Sequence, residues 1–378
     1  MNNPTIISFG DPGSINSEIL VKSFSLLESE KKEFNRINDI IIIGSSKSLN
    51  EELKKTTNFQ FENRIIIKNS NLLSKSELKF GKILNRKVLE ILFDKLTYEI
   101  YQIYLNYREN KKSKKNENLI IFFDPFESLN YEVGEVDLKN GFLSYLYLII
   151  SCKLIEFLKY NANLLTLPLN KKAVSLYDKK FKGHTDFLMQ RYNAPKARML
   201  MHCDKLSILM ETNHVPILDL KNHLNRQHFF ETLFGAKEAI IKLKLEPIIY
   251  VLGLNPHKSD GSLIGTDEER WIIPQIEKFN KIENGKIIAE GPFSSDSIFT
   301  EKSLTFKKHG IFIAWYHDQG LIPFKMLAKE NGANITVGLP FFRISPDHGT
   351  GFDIVGKNVA DPSSLIFCLK TIYSLEER

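Results

Sequence analysis

Cysteine is scarce in this chain. There are three in 378 residues, Cys152, Cys203 and Cys368, and no CxxC pair. That excludes a disulfide framework and a cysteine-built metal site, and it fits a reducing, cytoplasmic location. Long hydrophobic runs are also missing. The longest, Phe142 to Cys152, is broken by Ser144 and Ser151, too short for a membrane span. The opening MNNPTIISFGDPG has no basic segment followed by an apolar one, so no secretory signal is expected. Neither GxGxxG nor GxxxxGK[ST] occurs, so the common dinucleotide and triphosphate fingerprints are absent. Lys and Arg number 51 against 45 acids, a net charge of +6. They are spread through the chain rather than clustered with aromatics, which argues against a nucleic-acid partner and leaves a solvated basic surface with a mild attraction for anions.

What is present is ordinary globular material, 43% apolar and 25% charged, long enough for one large domain or two ordinary ones. Apolar runs at Thr5–Phe9, Asp39–Ile43, Arg64–Ile67, Leu119–Phe123 and Asn163–Leu167 read as strands. So do Ala197–Met201, Leu206–Glu211, Pro247–Leu252, Lys286–Ala289 and Ile311–Trp315. Between them lie helical patterns at Asn16–Leu27, Ile83–Tyr107, Phe142–Lys159, Lys182–Gln190, Phe229–Leu243 and Asp267–Phe279, with Ser363–Leu375 closing the chain. Alternation of this kind argues α/β. The Lys/Asn-rich run Glu109–Asn118 reads as a mobile surface loop. Glu127–Gly141, rich in Gly, Asn and charge, reads as a domain boundary. The expected division is 1–128 with 330–378 as a first α/β domain, and 129–329 as a second.

Chemistry-bearing residues gather from Ile311 to Pro362. His317 and Asp318 follow an apolar strand, then come Lys325, Asn334, Arg343 and the loop DHGTGFDIVGKNVADP. His214, His257 and His317 each lie within a few residues of the end of a strand-like run. Three imidazoles with open positions are a catalytic metal arrangement. His184 and Thr185 open a helix, where an anion or hydroxyl can be held. Arg343 after an apolar run is placed to grip a carboxylate or phosphate with two bonds. His202 and Cys203 read as structural, and His223, His228 and His309 receive no role.

GDPGSINSE, PLNK, GHTDF, TNHVPI, GLNPH, GPFSSDSIF, YHDQGLIPFK, NITVGLPFFR and DHGTGFD occur in the order found in the PdxA family, the 4-hydroxythreonine-4-phosphate dehydrogenases of vitamin B6 biosynthesis, which this chain resembles over nearly its whole length. The resemblance implies two α/β/α domains with a cleft between them, similar to isocitrate and isopropylmalate dehydrogenases. It implies one divalent metal (Zn, Mg or Co) on His214, His257 and His317, and substrate contacts from His184, Thr185, Lys325, Asn334 and Arg343. It implies catalytic roles for His184, Lys325 and Asp318. The loop carrying His348, Gly349, Thr350, Asp353 and Asp361 is similar to an adenosine-binding loop. Asp353 would lie on the ribose, which favours NAD over NADP, and Asp361 would lie near the adenine. The implied reaction is oxidation of 4-phosphooxy-L-threonine to 2-amino-3-oxo-4-phosphooxybutanoate, which decarboxylates to 3-amino-2-oxopropyl phosphate, a step toward pyridoxal 5'-phosphate. The implied assembly is a homodimer with a shared active site and ligands drawn from both chains. Alternatives are a paralogue acting on a four-carbon sugar acid phosphate of the threonate or erythronate type, and a non-catalytic nucleotide- or metal-binding paralogue. The family's opening turn is nearer GEPAGIGPE; here Ser14 and Asn16 replace small residues.

Overall fold

The computed structural model of the chain describes residues 3–29, 39–55, 65–70, 86–110, 119–127, 129–300 and 309–375. The start of the expected Ile83–Tyr107 helix and most of the Lys/Asn-rich run lie outside the described residues. The chain forms two units, Met1–Phe187 with Phe341–Arg378, and Leu188–Pro340. The boundaries differ from 128/129 and 329/330, for a physical reason. The stretch read as a linker is fastened to the first unit: Gly134 N donates to Gly13 O (2.8 Å), and the Asn140 side chain bonds both the N–H and the carbonyl of Glu132 (2.9 and 2.7 Å).

The first unit carries strands β1 (Thr5–Ser8), β2 (Ile40–Ile43), β3 (Ile65–Asn69), β4 (Ile120–Asp124), β5 (Asn163–Thr166) and β12 (Arg343–Pro346). Their order is β3-β4-β2-β1-β5-β12 and every pairing is parallel. Ile40 to Ile43 and Ile120 to Phe123 are all fully buried, the continuous apolar reading of strands covered on both faces. The helix Leu138–Phe157 packs on β1, β2 and the helix Arg86–Asn110. By length and composition it could cross a membrane, but it is mostly buried within its own unit. Its two interrupting serines are satisfied internally, Ser144 on Asn140 O (2.6 Å) and Ser151 on Tyr147 O (2.8 Å), four residues back.

The second unit carries β6 (Arg198–Cys203), β7 (Leu206–Met210), β8 (Ile248–Leu252), β9 (Ile288–Phe293), β10 (Ile311–Ala314) and β11 (Ala333–Val337). Their order is β11-β6-β7-β10-β8-β9. β6 runs antiparallel to both neighbours, whereas β7, β10, β8 and β9 are mutually parallel. Among the elements the sequence reading did not name are the helices Ser46–Leu53, Lys171–Tyr177 and His317–Ala328, and the strands β11 and β12. The third helix contains Pro323, a residue that normally ends a helical pattern.

Gly141 lies where the helix Leu138–Phe157 crosses the helix Lys171–Tyr177, and a Cβ there would meet Ala173 O at 2.0 Å. Gly to Ala inside a helix ordinarily stabilises by about 1 kcal/mol. Here overpacking reverses the sign, and Gly141→Ala is expected to destabilise by about 1–3 kcal/mol in urea unfolding.

Candidate active site

In the second unit, adjacency of β7 and β10 brings two histidines together. Glu211 N donates to Ala314 O (2.8 Å) and Thr212 Oγ1 to Trp315 O (2.7 Å), so the two strand ends leave the sheet side by side. The His214 and His317 rings then lie 5.6 Å apart, tilted by 41°. Asp318 Oδ1 takes up His317 Nδ1 at 2.7 Å. A carboxylate on one ring nitrogen fixes the tautomer and leaves Nε2 for a ligand. Gln319 ties the neighbouring ends to this one: its side chain accepts from Trp315 N (2.7 Å) and donates to Gly253 O (2.8 Å) and Ser295 Oγ (2.9 Å).

His257 is not part of that pair. It stands beyond β8 on a loop of left-handed backbone, its side chain 65% exposed, with Asp296 Oδ2 at 3.8 Å. Among the described residues no three His, Cys, Asp or Glu side chains converge to hold an ion. The expected trio is therefore separated into a pair and a single. The pair fits a divalent metal by donor chemistry: two imidazoles at close range, one already oriented by a carboxylate. Asn213 Oδ1, the residue before His214, is buried with no hydrogen-bond partner, a further unsatisfied oxygen donor at that strand end. Lys325 is exposed, two turns beyond His317 on the same helix, and Asn334 is half-buried on β11.

In the first unit a second group assembles. Arg343 is only 2% exposed, and its Nη2 donates to Thr166 Oγ1 (2.6 Å) on the neighbouring strand β5. Burial lowers its pKa to about 10, against a raising influence from the thiols of Cys368 and Cys152. It still stays charged at neutral pH. His184 opens the helix His184–Arg191, followed by Thr185. Its Nε2 is buried with no hydrogen-bond partner. Burial first, then the charges of Arg343 and Lys171, push its pKa well below the usual value, so the ring is neutral. Lys171, the last residue of PLNK, was assigned no role from the sequence. Its stem lies 3.1 Å from where a Gly183 Cβ would be, which brings PLNK and GHTDF together.

The loop expected to take the cofactor rests on the first helix, Asn16–Ser29. Ile15 N donates to Thr350 O (3.2 Å), and Gly351 has φ +56° with Ile15 where its Cβ would be. Buried Glu18 accepts from Ala360 N (2.8 Å) and from Lys22 (2.8 Å), and Lys22 Nζ also reaches the carbonyls of Asn358 and Ala360, both at 3.0 Å. His348 Nδ1 contacts Gly349 O (3.0 Å). Asp353 is exposed. Asp361 Oδ1 accepts from Ser363 N (2.8 Å), which makes it a cap for the last helix. Glu18, Lys22 and Gln319 went unnoticed in the sequence. The i,i+4 spacing of Glu18 and Lys22 was the one available signal.

The sequence model of the family described as pyridoxal phosphate biosynthetic protein PdxA matches residues 37–372. The chain belongs to the PdxA family. A 4-hydroxythreonine-4-phosphate dehydrogenase from Sulfurihydrogenibium sp. is 34% identical over 366 residues, 95% of this chain and 94% of that one. One of the same name from Aquifex aeolicus is 33% identical, over 79% of this chain and 95% of its own. A solved structure described as a 4-hydroxythreonine-4-phosphate dehydrogenase from Salmonella typhimurium superposes with a TM-score of 0.69 at 26% identity, covering 99% of both chains. The PdxA turn that departs from the family pattern at Ser14 and Asn16 is built by those departures. Ser14 Oγ donates to Asp11 O (2.6 Å), and Asn16 Nδ2 reaches Phe9 O (2.8 Å) and Pro168 O (2.7 Å).

That turn encloses Asp11, which is fully buried. Burial raises its pKa from 3.8 to about 7, with Asp137 adding to the rise and the Gly13 N–H and Asn140 opposing it. The folded state thus holds a proton that the unfolded chain releases. The stability this contributes is full below about 3.8 and is lost as pH rises through about 7. A shift of about three units is worth up to about 4 kcal/mol. Asp11→Asn keeps the shape without the charge. Its melting temperature relative to the unsubstituted protein is expected to rise between about pH 4 and about pH 7 and to level off above that; a constant difference across that range would show Asp11 ionised throughout.

Proposed function

We propose that the chain is an NAD-dependent dehydrogenase of 4-phosphooxy-L-threonine in pyridoxal 5'-phosphate biosynthesis, with the oxidised product, a β-keto acid, losing carbon dioxide. The observation that carries this reading is the buried Nε2 of neutral His184, without a hydrogen-bond partner, under the charges of Arg343 and Lys171. A neutral acceptor between two cations suits an anionic substrate bearing a hydroxyl proton to be removed. Arg343, Lys325, His184, Thr185 and Asn334 hold the anionic ends and fix the angle of the reacting carbon, an orienting role. His184, Lys325 and Asp318 are the residues proposed to hold or move protons, Asp318 through His317. His348, Gly349, Thr350, Asp353 and Asp361 are proposed to line the dinucleotide, with Asp353 on the ribose favouring NAD. His214, His257 and His317 are proposed to hold one divalent ion, Zn, Mg or Co. When bound, that ion would polarise the substrate oxygen and NAD would take up the hydride.

Since His257 stands apart from the other two, the proposed site is shared, with His257 supplied by a second copy in a cytoplasmic homodimer. Exposed apolar side chains support this. Ile217 and Leu218 follow His214, Leu263 and Ile264 follow His257, and Ile322 and Met326 follow His317, from 46% to 96% exposed. Such patches mark association surfaces.

A second reading has one observation in its favour: a relative from Oceanobacillus iheyensis, named for D-threonate 4-phosphate dehydrogenation, is 33% identical over 69% of this chain. A panel of both phosphorylated acids with NAD separates the two. Turnover of the amino acid phosphate is expected to dominate, to vanish after chelation and to return with a divalent ion; full activity in metal-free protein would remove the histidine reading.

Arg343→Lys keeps the charge but replaces a planar fork of donors by a point charge on a flexible stem. A loss of about a hundredfold in kcat/KM for the acid is expected, with KM for NAD little changed. Unaltered kinetics in a folded variant would take Arg343 out of the site.

A further inference from the structure

The loop that carries His257 is unusual in its backbone. His257, Lys258, Ser259 and Asp260 have φ of 50°, 52°, 69° and 45°, followed by Gly261 at 65° and Ser262 at 71°. L-residues enter left-handed backbone singly and at an energetic penalty, not in runs. A run of this length needs an outside restraint that holds it.

Glu268 is placed to supply that restraint. It opens the short π-helical turn Glu268–Ile272 and is 1% exposed. Its Oε1 accepts from Asn255 N at 2.8 Å, and its Oε2 accepts from Asn255 Nδ2 at 2.9 Å and from Ser259 Oγ. One carboxylate therefore grips the loop two residues before His257 and two residues after it. Gly265 makes room for this, because a Cβ there would come within 2.6 Å of Asn255 Nδ2. All three groups facing Glu268 are donors, and a carboxylate accepts from all of them. With the loop gripped at both flanks, the His257 side chain is held outward at 65% exposure.

We infer that Glu268 is a positioning residue, whose buried carboxylate locks the left-handed loop 255–262 and so presents His257 as a ligand. This rests on the proposed metal role of His257 and goes beyond it by assigning that ligand's geometry to a residue that touches neither metal nor substrate. The charge matters as much as the bonds. Gln at this position keeps one acceptor oxygen but turns an NH2 group toward donors. Asp keeps the charge and is one methylene short.

The test uses the full-length protein, with zinc affinity measured by competition against a chromophoric chelator and hydrogen exchange followed in peptides covering 255–262. Glu268→Gln is expected to weaken zinc binding by about ten- to a hundredfold, the usual effect of losing a partner behind a ligand. It is also expected to raise exchange in that loop, with protection of β7 and β10 unchanged. Glu268→Asp should recover part of both losses. His257→Ala separates the two layers of the argument. If His257→Ala weakens zinc binding while Glu268→Gln leaves affinity and loop protection as they were, the positioning role is overturned and the metal reading stands. If His257→Ala leaves zinc affinity unchanged, the metal reading fails, and raised or unchanged loop exchange in Glu268→Gln still decides whether the lock exists. Should Glu268→Gln not fold, Ser259→Ala removes one of the three donors, and a smaller loss of affinity with raised loop exchange is expected. Ser259→Ala indistinguishable from the unsubstituted protein would count against the inference.

Discussion

Parallel strands send their carboxyl ends to one edge, and that constraint places many of the residues of interest in each unit, Arg343 and Asn334 at the starts of β12 and β11 being exceptions. In the second unit β7, β10, β8 and β9 run together. Their ends release His214, His317, the loop to His257, and Asp296 along the same edge. In the first unit β1, β4, β5 and β12 release Asp11, Asp124, the PLNK turn and the loop beginning at Asp347. The strand interiors are mostly Ile, Leu and Phe, with Arg343 on β12 and Asn334 on β11 among the polar exceptions. Chemistry is therefore pushed outward to the ends, where backbone groups leave the ladder and need partners. Thr212, Gln319 and Asn16 provide those partners by side chain.

Three of the ionisable groups in the first unit, Asp11, His184 and Arg343, meet the loss of water differently. Asp11 holds its proton to about pH 7. His184 gives its proton up. Arg343, whose pKa falls only to about 10, stays charged. The outcome is a group of one buried cation, one exposed cation at Lys171 and one neutral imidazole, which on the proposed reading faces an anion.

The strands were legible in the sequence because runs such as Ile40–Ile43 have few other readings. The first domain boundary was not, because Gly, Asn and charge mark linkers and tight internal turns alike. Only the bonds from Gly134 and Asn140 tell them apart. The helix after His317 was hidden by Pro323. Arg343 looked the same in sequence whether buried or on the surface, and its burial comes from the pairing of β12 with β5. The three histidines looked equivalent because each follows an apolar run. The difference is local: His214 and His317 follow β7 and β10 on ordinary backbone, whereas His257 follows β8 on a left-handed loop. Glu268, which acts by accepting bonds from another segment, has no periodicity of its own and becomes visible only through its partners.

The exposure pattern of the second unit then bears on why the trio is divided. A unit that completed its own metal site would have reason to fold the His257 loop inward and cover the apolar residues beside it. Here the buried Glu268 carboxylate bonds both flanks of the exposed His257, and Leu218, at 96% exposure, and Leu263, at 84%, stand close in sequence to His214 and His257. Holding a ligand away from its own site is costly unless another surface receives it. On the proposed reading, the apolar residues and the outward histidine answer to the same partner, a second copy of the chain. Association would then bury the exposed leucines and complete the ligand set in one step. Metal affinity would rise with protein concentration, a linkage that a site complete within one chain does not have.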